Sequence, residues 1–341
     1  MPNLRFNTVL AVVLLSLGAV FGAPVSRAET FVLPPPGVNV IGAIQTVYAR
    51  HEDTLSDIAR RYNVGYDEIT LANPDVDPWL PGEGTAIIVP SQYILPDAPR
   101  EGLVLNVPEM RVYYYPPVQK GKPPLVVTFP ASIGRMEWQT PLGKTKIVKK
   151  QAYPTWYPTD SIRAEHLEDG DPLPKSIPPG PENPLGTHAL RLGIPGYLIH
   201  GTNKPYGIGM RVTHGCIRLY PEDIRALFDM VPVDAPVYVV NQPFKAGWRN
   251  GLLYVEAHPP LEEDRGAFES NRTPAVKAVV AASPDTNSAI DWNTVAQITE
   301  GLNGVPGVVS TSTLDVASVL SETQSRIRQT LDGAVGVTVT D

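Results

Sequence analysis

Proline sets the strongest limit on what this chain can fold into. The 341 residues include 37 prolines, and proline fixes one backbone angle and removes an N–H donor. Long loops and rigid turns are therefore expected between short elements of secondary structure. The chain is also longer than one ordinary domain, so we expect two or three domains.

The net charge limits the kinds of molecule that the protein can bind. The formal net charge is −7, whereas binding to nucleic acid or to an anionic membrane surface requires a basic patch. We therefore expect no nucleic acid partner.

The first 28 residues predict export. Arg5 precedes an apolar run at 8–20, which is short for a membrane span, and Ser26-Arg27-Ala28 offers a small-x-small cleavage site. We interpret residues 1–28 as a signal peptide and expect the mature protein to be exported. A retained membrane anchor is the alternative.

Residues 29–92 contain two different patterns. The proline-rich residues 29–43 predict an extended linker. Within 44–92, two short strands at 46–49 and 85–89 flank helices that begin near Asp53-Thr54 and at Tyr66. The prediction is a small βααβ module.

Residues 100–241 are rich in short strands. A mainly-β sandwich or barrel-like domain is expected there. The predicted strands cover 103–107, 111–115, 125–129, 145–149, 189–192, 197–199 and 236–240. A short helix is predicted at 222–228, after Pro221.

Two segments remain. Residues 153–185 are dense in proline, and a loop of this length is a lid over a site or a braced surface loop. Residues 242–341 are expected to be a small, partly helical region. The patterns there predict helices at 294–302 and 313–331 and allow a strand at 248–256.

Cys216 is the strongest candidate for chemistry. It is the only cysteine, so it cannot form an internal disulfide in an oxidising compartment. A thiol attacks as its thiolate and needs a neighbouring base or positive charge. The prediction is a cysteine nucleophile, and the alternative is a buried, inert core residue.

The residues around Cys216 supply the other groups that acyl transfer needs. His200, followed by Gly201, is our candidate base, and His214 is a structural or oxyanion-side partner. Gly215 allows a turn that aims backbone amides at an oxyanion. Arg218 is predicted to clamp a substrate carboxylate, or alternatively to form a structural ion pair.

Zinc is a competing interpretation of the same residues. Cysteine and two histidines are known zinc donors, but their spacing matches no common zinc pattern. We therefore predict no metal and no cofactor, and a zinc hydrolase remains the alternative.

The motifs resemble two known families. The run at 200–209 followed by Thr213 to Leu219 is similar to the signature of the L,D-transpeptidase catalytic domain of the YkuD type. The similarity extends to 140–143, 154–158, 183–186 and 247–251. It is strongest to the periplasmic group of Gram-negative envelopes, which implies a periplasmic location. The module at 44–92 resembles a LysM carbohydrate-binding module, although Glu52 replaces its usual glycine.

The resemblance implies a reaction. Cys216 attacks the diaminopimelate–D-alanine bond of a tetrapeptide stem, His200 moves the proton, and D-alanine leaves a thioester. An amine of another stem or of an envelope lipoprotein lysine then takes the acyl group. The resemblance also implies glycan binding by the LysM-like module and acylation by carbapenems. The alternatives are an L,D-carboxypeptidase and a non-catalytic wall-binding protein.

Overall fold

The computed structural model describes residues 28–268, 272–283 and 290–310. The predicted signal peptide, except Ala28, and the predicted helix at 313–331 lie outside these ranges.

Short strands dominate the described chain, as the proline content indicates. The strands are β1 (Glu29–Val32), β2 (Val40–Gly42), β3 (Gln45–Tyr48), β4 (Ala86–Val89), β5 (Gln92–Ile94), β6 (Gly102–Asn106), β7 (Arg111–Tyr115), β8 (Leu125–Pro130), β9 (Ile133–Gly134), β10 (Gly143–Ala152), β11 (His188–Leu192), β12 (Leu198–His200), β13 (Arg211–Thr213), β14 (Ile217–Arg218), β15 (Pro236–Val240), β16 (Phe244–Arg249), β17 (Leu252–Ala257) and β18 (Gly307–Val308). The helices are α1 (Leu55–Arg61), α2 (Tyr66–Ala72), α3 (Asp160–Glu168), α4 (Pro221–Met230), α5 (Arg265–Phe268), α6 (Thr273–Ala282) and α7 (Trp292–Gly301).

Nine strands form one sheet in the order β1-β8-β7-β6-β15-β10-β11-β12-β14. Apolar residues alternate between its two faces because strand side chains have a period of two. Leu103 and Leu105 enter one core with Ile224 of α4, while Val104 enters a second core with Tyr113. The sheet is thus covered on both faces, and the mainly-β fold class is confirmed.

The βααβ module forms as the sequence predicts. Thr54 caps α1 by accepting from the backbone N–H of Asp57, whose carboxylate accepts from the Thr54 N–H in return. Leu55 and Ile58 of α1 pack with Ile87 of β4 in a separate small core. The helices of the module face the loop between β12 and β13.

The segment at 29–43 is more than the extended linker that we expected. Glu29–Val32 pairs antiparallel with β8, and Val40–Gly42 pairs with Gln92–Ile94. The prolines at 34–36 interrupt pairing only locally, because the residues on either side keep their backbone donors.

The region after residue 242 combines helices and strands. Strands β16, β17 and β18 form a sheet, on which α6 and α7 pack through Val279 and Val295. The helix predicted at 294–302 corresponds to α7, and the sheet extends the strand allowed at 248–256. No helix in the described ranges combines the length and apolarity that a membrane crossing requires.

Candidate active site

The site is built on two neighbouring parallel strands, β12 and β14. Their register places Ile199 opposite Ile217 and His200 opposite Arg218. Both isoleucines enter the core, so His200 and Arg218 lie on the opposite face. Cys216 immediately precedes β14, and its position in the alternation matches that of Arg218. The strand pairing therefore brings together a thiol, an imidazole and a guanidinium.

His200 is held in one tautomer. Its Nδ1 lies 2.7 Å from the carbonyl oxygen of Gly201, and because a carbonyl only accepts, Nδ1 carries the proton. Nε2 is then left with a lone pair and can act as a base. Burial, with a smaller contribution from the charge of Arg218, lowers the pKa of His200 to about 3, so the ring is neutral at physiological pH.

Cys216 is also neutral at rest. Burial raises the pKa of its thiol, although the Leu198 N–H and the charge of Arg218 act in the opposite direction. Sγ donates to the Gly196 carbonyl at 3.7 Å. No hydrogen bond joins it to His200 in the described ranges, and catalytic hydrogen bonds often tighten only when substrate is bound.

The turn before Cys216 depends on glycine. Gly215 has φ of +92°, and a Cβ there would lie 2.8 Å from Cε1 of Tyr197. Two threonines fix the turn: Thr140 Oγ1 donates to the Gly215 carbonyl at 3.0 Å, and Thr213 Oγ1 donates to the Cys216 carbonyl at 2.5 Å. The N–H groups of Gly215 and Cys216 have no acceptor in the part of the chain that the structure describes, so both are available to an oxyanion.

Gly201 and Arg218 complete the site face. A Cβ on Gly201 would lie 3.0 Å from Ile224 Cγ2, so the backbone after His200 packs closely on α4. Arg218 forms no ion pair with any described residue, and its buried Nε has no hydrogen-bond partner. The Arg218 guanidinium therefore has a free donor on the site face.

His214 contacts a different set of side chains from His200 and Cys216. Its Nε2 lies 2.8 Å from Glu165 Oε2 and 3.3 Å from Arg135 Nη2, and its ring meets the Trp138 ring edge at 5.2 Å between centroids. Sequence reasoning missed Glu165 and Arg135, because no spacing pattern links residues so distant in the chain.

The zinc alternative loses its geometric support. Cys216, His200 and His214 do not converge on one point in the described structure; the residues that do converge are Glu109, Glu256 and His258. Lys245 Nζ lies 2.7 Å and 2.8 Å from these two glutamates. The Lys245 ammonium therefore already offsets one of the two carboxylate charges in that cluster.

The chain is similar to several known proteins. Residues 100–239 match the family model of the L,D-transpeptidase catalytic domain, and residues 50–78 match the LysM domain. The chain is 43% identical to the probable L,D-transpeptidase YcfS of Escherichia coli, over 76% of this chain and 80% of the relative. It is 38% identical to ErfK/SrfK (87% and 96%) and 39% identical to YbiS (84% and 94%), two further probable L,D-transpeptidases of that organism. A solved structure, L,D-transpeptidase 3 from Mycobacterium tuberculosis, aligns at 21% identity over 46% of this chain and 67% of that one, with a TM-score of 0.30.

Proposed function

Because the chain belongs to the L,D-transpeptidase family, we propose that it is a peptidoglycan L,D-transpeptidase with Cys216 as nucleophile and His200 as base. The β12–β14 register carries this proposal, since it places both side chains and Arg218 on one face.

The first step follows from the resting protonation states. Nε2 of His200 takes the thiol proton as Sγ attacks the carbonyl of the diaminopimelate–D-alanine bond. The N–H groups of Gly215 and Cys216 receive the oxyanion, and one such donor contributes about 3 kcal/mol of transition-state stabilisation. The imidazolium then protonates the departing D-alanine amine, and a thioester remains on Cys216.

The second step returns the enzyme to its resting state. An acceptor amine attacks the thioester, His200 removes the amine proton, and the C–S bond breaks. The thioester conserves the energy of the peptide bond, so no ATP is needed. The acceptor is an amine of a second stem or an envelope lipoprotein lysine, and water in its place gives a carboxypeptidase.

Arg218 selects the stem peptide that donates the acyl group. Its guanidinium lacks a carboxylate partner within the described residues, and a buried cation gains most from a bidentate carboxylate. We assign it to a stem carboxylate. His214, Gly201 and Thr213 support the site.

The other partners follow from the same proposal. The LysM-like module binds the N-acetylglucosamine-containing glycan, carbapenems acylate Cys216, and residues 1–28 direct export to the periplasm.

Intact-mass spectrometry with a disaccharide-tetrapeptide tests the mechanism. We expect release of D-alanine and a thioester adduct that is absent in Cys216→Ala and strongly slowed in His200→Ala. A chelator should have no effect. An intact wild-type protein that releases no D-alanine, or one that is inhibited by chelator but not by thiol alkylation, contradicts the proposal.

A further inference from the structure

The proline-rich segment at 153–185 forms a loop that is fixed at its base. The buried amide of Asn183 donates to the carbonyls of Pro154, Ile177 and Pro178 at 2.8, 3.1 and 3.1 Å. Trp156 also pairs with Ile177 across the base. These contacts hold the two ends of the loop together without constraining its tip.

The tip lacks a core of its own. It carries α3, and no residue from 159 to 182 is buried. Burial of apolar side chains therefore contributes little to holding α3 in place. Polar contacts must define its position.

Glu165 provides those contacts beside the cysteine turn. Its Oε2 accepts from His214 Nε2 at 2.8 Å, and its Oε1 pairs with Arg135 Nη2. His214 stands two residues before Cys216. Arg135 and His214 together lower the pKa of Glu165, so the carboxylate is charged at neutral pH and the pair with Arg135 is ionic.

We propose that the contacts of Glu165 with His214 and Arg135, called the latch below, hold α3 beside Cys216. The latch favours attack on the thioester by an amine over attack by water. The inference rests on the proposed transpeptidase reaction. Attack by an amine forms an amide, whereas attack by water forms a free carboxylic acid; either breaks the C–S bond and restores the thiol. A closed site excludes bulk water and so protects a reactive acyl intermediate.

Glu165 touches no reacting atom and is a positioning residue. Its effect should therefore appear in the ratio of the two products and not in the formation of the thioester. A residue that only stabilises the fold would change both steps together.

The experiment measures both products in one reaction. Full-length protein receives a disaccharide-tetrapeptide as donor and glycine as acceptor amine, and the glycine-linked product and the tripeptide acid are quantified by mass spectrometry. In Glu165→Ala we expect the ratio of amine product to acid to fall about fivefold, the size expected for loss of one partly exposed ion pair. The rate of thioester formation should stay within about twofold of wild type. A twofold change corresponds to a smaller free energy than the fivefold change expected for the product ratio.

Glu168→Ala is the matched control. Glu168 lies on the same helix and is exposed, so this variant makes the same chemical change away from the latch. We expect the wild-type ratio. Should Glu165→Ala fail to fold, as judged by circular dichroism, Glu165→Gln and Arg135→Met remove the ion pair with less change in shape.

The outcomes test the latch and the proposed transpeptidase reaction separately. A wild-type thioester together with an unchanged product ratio in Glu165→Ala and Arg135→Met overturns the latch alone. Failure of the wild-type protein to form any thioester overturns the proposed function instead.

Discussion

Alkylation of Cys216 by iodoacetamide tests whether the thiol and His200 form an ion pair before substrate arrives. Burial lowers the pKa of His200 to about 3 and raises that of Cys216 above its ordinary value of 9.0. The proton therefore stays on sulfur. With a thiol pKa above 9, less than about 1% of Cys216 is ionised at pH 7.

The assay follows the alkylation rate by intact mass from pH 5 to pH 10. Cys216 is the only thiol, so Cys216→Ala gives the background. We expect the rate to rise about tenfold per pH unit through pH 9 without a plateau at lower pH, as simple ionisation requires. His200→Ala should leave the neutral-pH rate nearly unchanged.

A plateau between pH 5 and pH 7 would refute this reasoning, because it indicates a preformed thiolate–imidazolium pair. The same pKa values predict the acid limit of substrate acylation. At pH 5 an ordinary histidine is roughly 3% neutral, whereas a histidine of pKa about 3 is roughly 99% neutral. Thioester formation should therefore persist at pH 5, and its loss near pH 6.5 would point to an ordinary imidazole.

Three further substitutions test the turn and the buried charges. Gly215→Ala places a Cβ 2.8 Å from Tyr197 at a positive φ, so thioester formation should fall about 100-fold; a wild-type rate would show that the turn adapts. Glu68→Gln leaves the buried cation of Arg111 without its anionic partner, so urea unfolding should show a loss of about 3 to 5 kcal/mol, and a loss below 1 kcal/mol would contradict it. Burial raises the pKa of Asp223 to about 8, so the folded state retains a proton that the unfolded state loses near pH 4, and stability falls as pH rises from 4 to 8. Asp223→Asn should flatten that part of the pH dependence of the melting temperature, and an unchanged slope would exclude Asp223 as its source.

Local patterns predicted most individual elements because their causes are local. The predicted start of a helix at Tyr66 and both predicted ends of the strand at Pro236–Val240 match the structure. Caps, turn residues and periodicity all lie within a few positions of the element that they define. The short helix α3 was missed because prolines surround it, although Thr159 caps it.

Local sequence patterns could not predict which distant segments of the chain lie together. The strand predicted at 197–199 does not reveal that β12 runs parallel to β14, for which no strand was predicted, yet this pairing creates the site. Glu165 and His214 are 49 positions apart in the chain. No local sequence pattern around either residue predicts their contact. The sequence indicated the residues that we propose to react, whereas the groups around them depend on tertiary structure.

Buried titratable side chains lie where the parts of the molecule meet. Arg111 of β7 is fully buried and bonds both carboxylate oxygens of Glu68 at 2.7 Å, and Asn63 donates to Asp223 of α4. A buried charge such as that of Arg111 is costly unless it is paired, so any other placement of the LysM-like module would remove the bidentate Glu68 carboxylate from Arg111.

The same junction reaches the active site. The N–H groups of Tyr66 and Asp67 donate to the carbonyls of Ile208 and Gly209, in the loop that connects the His200 strand with the Cys216 turn. A Cβ on Gly209 would overlap the Gly65 backbone, so the contact requires glycine. The LysM-like module thus supports the loop between the proposed base and the proposed nucleophile, and a glycan bound to the module would be held at a set position relative to Cys216.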